Sequence, residues 1–161
     1  MNLPMIGSES KMKLDSGTTF SYFHPFVHSK IISTISKYCS KNSLRCGGVS
    51  QYKTETCISQ DRMYYPTLEK FFDSFPTIVF ELGIHRAKYY WRPRHYLRIS
   101  VNAYDSSSRK YCNTIMKAES KFTQVFGAMF MRDYNIFFDR EMLLAKFAPA
   151  DCSSDPPLID A

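Results

Sequence analysis

One run of side chains can do chemistry. Asp15-Ser16-Gly17-Thr18 lies inside "KLDSGTTFSYF", residues 13–23, where an apolar residue leads into a carboxylate and the chain then turns aromatic and β-prone. A carboxylate in a tight Ser-Gly turn between two strand-like runs can give or take a proton at a reacting group. Taken alone, Asp15 reads as a turn or N-cap aspartate. Its chemistry becomes specific with a second carboxylate. Two such groups sharing a site cannot easily both ionise, so one keeps a proton while the other takes a proton from water. Such a pair titrates as a unit. No second Asp-Thr/Ser-Gly-Thr occurs in the 161 residues.

Other chemistries fit less well. Cys39, Cys46, Cys57, Cys112 and Cys152 form no Cys-x-x-Cys pair, and no His stands at zinc-finger spacing from two of them, so no metal is expected. Cysteines in loop-like surroundings suit disulfides in an oxidising compartment, with buried reduced thiols as the other reading. His24, His28, His85 and His95 are scattered among aromatic or basic neighbours and read as surface or core histidines rather than ligands. The net charge is +6, but Lys and Arg are spread along the chain. The densest patch, "HRAKYYWRPRH" at 85–95, could stack bases and neutralise phosphate. A strand pair with a solvated outer face explains it as well, and no nucleic acid is expected.

The elements that must hold Asp15 are mostly strands. Aromatics make up 16% of the chain, which favours half-buried pleated surfaces. Residues 12–23 read as strand, turn, strand. "FVHSKIISTISKYC" has helical spacing, with Val27, Ile31 and Ile35 on one face. Residues 40–60 read as a loop, and "PTLEKFFDSF" as a short helix with Pro66 at its first position. "TIVFELG", "KYYWR", "HYLRISV" and "KYCNTIM" read as strands, with "NAYDSSS" as a hairpin loop before the last. "YNIFFDRE" and "MLLAKFAP" read as a strand, a turn and a returning strand. In "FTQVFGAMF", Gly127 sits between apolar runs, where a bulge glycine is the plain reading. No run approaches the roughly 20 apolar residues of a membrane span, and "MNLPMIGSES" lacks signal-peptide character.

"LDSGTTF", "FPTIVFEL", "WRPRHYL" and "FTQVFGAMFMRDYNIFFDREMLLAKFA" together, in this order, resemble the C-terminal lobe of a pepsin-like aspartic protease. Within that family, "DSGTTF" and the W-x-P-x-x-Y-L turn look most like the plasmepsin V group of apicomplexan parasites. The resemblance implies a mostly β lobe of a bilobal acid protease fold with short helices. It implies a lead-in at 1–11, the lobe at 12–150 and a tail at 151–161. Asp15 then matches the catalytic aspartate of the second lobe, and Ser16, Gly17 and Thr18 its supporting loop. Thr19 matches a substrate-cleft position. Val125, Phe126 and Gly127 match the segment that threads beside the catalytic loop, and Asp139 a structural turn. It also implies a Cys57–Cys112 disulfide and a free Cys152, while Cys39 and Cys46, which flank a short loop after the first helix, are expected to pair with each other. No cofactor is implied. The substrate would be a peptide or protein, and the second carboxylate would come from an N-terminal lobe outside this sequence. The expected setting is the secretory pathway, with a membrane anchor beyond this sequence left open. Two rival readings remain: a non-catalytic pseudoprotease that binds peptides or a partner, and a homodimer contributing Asp15 twice.

Overall fold

The computed structural model describes residues 11–83, 85–100, 110–119 and 123–151. The expected hairpin loop at 102–108 and Cys152 lie outside them. The fold is mostly β with short helices, as expected.

The described residues begin with β1 (Lys11–Asp15), turn at Ser16–Gly17 and continue as β2 (Ser21–Phe23). Helix α1 (Pro25–Cys39) follows at once. His24 Nδ1 caps it by accepting the Phe26 N–H at 3.1 Å, and Pro25 fits the first turn, where no N–H partner is needed. Its buried stripe is Val27, His28, Ile31, Ile35 and Cys39, one face of a 3.6-residue period.

The stretch read as loop at 40–60 holds two small elements. A 3-10 turn at Cys46–Gly48 carries Gly47 at φ +64°, where an added Cβ would come 2.7 Å from the Phe71 ring and 2.8 Å from Ile58 Cγ2. Only glycine suits that conformation and that space. β3 (Cys57–Ser59) then pairs antiparallel with β7 (Lys110–Asn113), with Cys57 opposite Cys112. Three residues are too few to show a period of two, so the strand is silent in the sequence. Disulfides link Cys39 to Cys46 and Cys57 to Cys112.

Helix α2 (Leu68–Asp73) starts later than expected. Thr67 caps it, accepting the Lys70 N–H at 3.3 Å, and this leaves Pro66 outside the helix. β4 (Ile78–Leu82) and β5 (Ala87–Trp91) form a two-stranded sheet. The expected strand "HYLRISV" is divided. Pro93–Tyr96 make one helical turn, α3, before β6 (Leu97–Ile99), because Pro93 takes the first helical position and Tyr96 OH is anchored on Pro76 O at 2.7 Å. "KYCNTIM" is also two strands. Buried Thr114 interrupts it and donates its N–H and hydroxyl to Tyr96 O, so β7 stays beside β3 and β6 while β8 (Ile115–Lys117) crosses to another sheet.

That other sheet positions the site. Its order is β1-β9-β2-β8, where β9 (Thr123–Gly127) runs parallel to β1 and antiparallel to β2. After β9 comes one helical turn, α4 (Ala128–Met131). Beneath them lies a buried aromatic cluster of Phe23, Phe80, Tyr89, Trp91, Phe126 and Phe130. Phe126 and Phe130 stack at 3.8 Å and Phe130 and Tyr89 at 4.3 Å between centroids. The polar handles of the cluster reach the backbone of α4. Tyr89 OH donates to Phe130 O, and Trp91 Nε1 to Met129 O at 3.4 Å. The last described elements form a separate hairpin of β10 (Tyr134–Asp139) and β11 (Leu144–Pro149).

Candidate active site

Asp15 is the last residue of β1 and lies in register with Gly127, the last of β9. Three bonds fix the turn after it. Asp15 O accepts the Thr18 N–H at 3.2 Å, Asp15 Oδ1 accepts the Gly17 N–H at 3.1 Å, and Lys13 Nζ donates to Oδ2 at 2.8 Å. The Lys13 hydrogen bond holds the Asp15 carboxyl below the ordinary carboxylate range. The Thr18 hydroxyl and the Gly17 amide act in the same direction, while partial burial opposes them. No Asp or Glu among the described residues takes part in this shift. The carboxylate is about a quarter exposed.

The loop after Asp15 is pinned by β9 and α4. Gly127 N–H reaches Ser21 Oγ at 3.3 Å, Ala128 N–H reaches Thr18 O at 2.7 Å, and Met129 N–H reaches Thr19 O at 3.1 Å. A Cβ on Gly127 would fall inside the carbonyl oxygens of Thr18 and Phe20 and stand 2.9 Å from the Phe20 carbonyl carbon. The backbone here is extended at φ −80°, so glycine is needed for the close approach and not for its torsion freedom. The close backbone contact, and not a bulge, is what the structure places at this position. Val125 lies beside Tyr22 in β2, and Phe126 turns into the aromatic cluster.

Ser16 is exposed and lines an open groove of about 450 Å³, whose other walls include Ala128, Asp133, Tyr134, Ile136 and Phe138. Thr19, three residues on, is exposed, is not part of that lining, and accepts the Met129 N–H with its carbonyl. Asp133 sits at φ +61° and gathers Arg94 at 2.9 Å and buried His95 at 3.0 Å, tying α3 to the base of the hairpin. Asp139 accepts the Met142 N–H at 2.9 Å inside the hairpin turn. The structure therefore brings Asp15, Gly17, Thr18 and Gly127 together and leaves Asp139 at the far end of the β10–β11 hairpin.

Two residues at the site escaped the sequence reading. Ser21 is fully buried and takes the Gly127 amide. Lys13 reaches Asp15 from the same face of β1, and the period of two was the signal that could have found it. Among the described residues no three His, Cys, Asp or Glu side chains are grouped to hold a metal ion.

A family model described as Xylanase inhibitor C-terminal matches residues 5–149. No curated protein matches the chain.

Proposed function

Because the chain belongs to the Xylanase inhibitor C-terminal family, a domain of the pepsin-like aspartic proteases, we propose that it is the second half of an aspartic endopeptidase, with residues 12–150 as the lobe. Asp15 contributes one carboxylate and a first lobe supplies the other. A water held between them attacks the scissile carbonyl. One carboxylate takes the water's proton while the other donates its own to the carbonyl oxygen, so no metal or cofactor is called on. Ser16, Gly17 and Thr18 hold the turn, Thr19 lines the cleft, and Val125-Phe126-Gly127 form the threaded segment. The observation that carries this reading is the seat of Asp15. It ends a strand whose parallel neighbour closes with a glycine pressed onto the backbone of residues 18–20.

The β10–β11 hairpin supports a first lobe as partner. It forms its own two-stranded sheet, yet Phe137 and Phe138, which point to opposite faces, are 63% and 60% exposed, and Leu143 at its tip is 88% exposed. Apolar side chains on both faces of an open pair of strands call for cover. The Ser16 groove opens between this hairpin and the Asp15 turn. Two disulfides fit assembly in the secretory pathway. No helix among the described residues is long and apolar enough to cross a membrane. The likeness to the plasmepsin V group rests on the sequence motifs alone.

A second reading, a non-catalytic peptide- or partner-binding lobe, is favoured by the inhibitor in the family's description. Incubating the chain with a broad peptide library between about pH 3 and pH 7, alone and joined to a first lobe, separates the two, since proton sharing needs a second carboxylate. The protease reading expects turnover only in the joined form. Peptide binding without turnover in the joined form would favour the second reading.

A further inference from the structure

Side chains two apart on a strand share a face, so Lys13 and Asp15 stand together on β1. The turn and the strand divide the carboxylate between them. Oδ1 takes the Gly17 amide at 3.1 Å, and Oδ2 takes Lys13 Nζ at 2.8 Å. Among the described residues, Lys13 makes no other ion pair. The other described neighbours bring no competing charge into contact with the carboxylate. In the turn, Thr18 offers a hydroxyl. From β9, the residues in register are Thr123, Gln124, Val125, Phe126 and Gly127, none of which titrates. Across the groove beyond Ser16 stand Arg132 and Asp133, which face each other at 3.9 Å, and Asp133 is further engaged by Arg94 and His95. Among the described side chains, Lys13 is thus the cation that bonds Asp15.

Resting on the reading of Asp15 as half of a carboxylate pair, we propose that Lys13 is a positioning residue that holds Asp15 ionised and assigns the shared proton to the carboxylate of the first lobe. A carboxylate pair that shares one proton is balanced by its surroundings, and a cation beside one member tips that balance. Asp15 is then the member that takes the proton when the water's O–H bond breaks. As the water oxygen bonds to the carbonyl carbon, the first-lobe carboxyl passes its own proton to the carbonyl oxygen. Lys13 touches neither water nor substrate in this scheme. It works through Asp15 alone, and its side chain is 63% exposed, so dissolved salt weakens its hold.

The test uses the chain as it stands. The carboxyl carbon of Asp15, identified by its loss in Asp15→Asn, is titrated by NMR in the wild type, Lys13→Met and Lys13→Arg, at low and high salt. The midpoint is expected to rise in Lys13→Met and to stay at the wild-type position in Lys13→Arg. Added salt is expected to raise the wild-type midpoint and leave Lys13→Met unmoved. Equal midpoints in wild type and Lys13→Met would overturn the proposal. Should Lys13→Met fail to fold, Lys13→Gln carries the same expectation. In the two-lobed enzyme the acid limb of kcat/KM should move up in Lys13→Met, and an unmoved limb would also overturn it. The titration needs no turnover, so its failure leaves the protease reading standing. Full activity in Asp15→Asn would end that reading and leave the titration result untouched.

Discussion

Replacing Gly127 by Ala places one methyl group where the backbone of residues 18–20 already stands. The new Cβ would overlap the carbonyl oxygens of Thr18 and Phe20, and backbone cannot swing aside as a flexible side chain can. Either β9 backs away or the Asp15 loop is pushed out. Three amides depend on the present fit: Gly127 to Ser21 Oγ at 3.3 Å, Ala128 to Thr18 O at 2.7 Å and Met129 to Thr19 O at 3.1 Å. Leaving a buried amide unpaired costs about 1–3 kcal/mol, and forcing extra volume into a filled site costs about as much again. Loss of one or two of these bonds together with the overlap gives roughly 3–5 kcal/mol, set against a total of about 5–15 kcal/mol for a domain. Urea unfolding should show a lower midpoint at unchanged slope. Hydrogen exchange should show the Ala128 and Met129 amides losing protection ahead of the rest. A loss below about 1 kcal/mol, within the range of ordinary substitutions, with both amides still protected, would refute the tight seating of the loop.

The disulfides should differ in worth. Cys57–Cys112 spans 55 residues and Cys39–Cys46 spans 7, so replacing the first pair with Ser should cost about 4 kcal/mol and the second about 2 kcal/mol by loop-closure entropy; denaturant midpoints that reverse this order would contradict it. Burial lowers His95 from its ordinary 6.5, and the hydrogen bond it makes to Asp133 restores only part of that. The unfolded chain therefore binds this proton more readily than the folded one, so the stability from neutral His95 is full above about pH 6.5 and declines as the pH falls below it. Urea midpoints between about pH 8 and pH 5 should fall less steeply in His95→Gln than in the wild type, and identical slopes would refute this link.

The sequence was most readable where period and punctuation were strong. Val27, Ile31 and Ile35 mark the buried face of α1, and the β10–β11 hairpin follows from two apolar runs around "DREM". Short elements were lost. β3 has three residues, and its place beside β7 depends on a partner more than fifty residues away. The break between β7 and β8 is set by Thr114 bonding to Tyr96, a tertiary contact that no local pattern encodes. At the site, Asp15-Ser16-Gly17-Thr18 stood out because few residue types suit a tight turn after a strand. Gly127 by itself looked like any strand glycine, and its reason lies in the carbonyls of Thr18 and Phe20. Ser21 and Lys13 gave no composition signal, because their roles arise from which side chain faces which neighbour.

The claim on which the rest depends is that Asp15 is one of two carboxylates that share the reaction. Asp15→Asn keeps the size and the turn while removing the ionisable group. In the two-lobed enzyme it should lower kcat by about 100-fold or more, the scale of a lost proton-transfer group, with circular dichroism and melting close to the wild type. An Asp15→Asn enzyme that keeps most of its turnover would contradict the account.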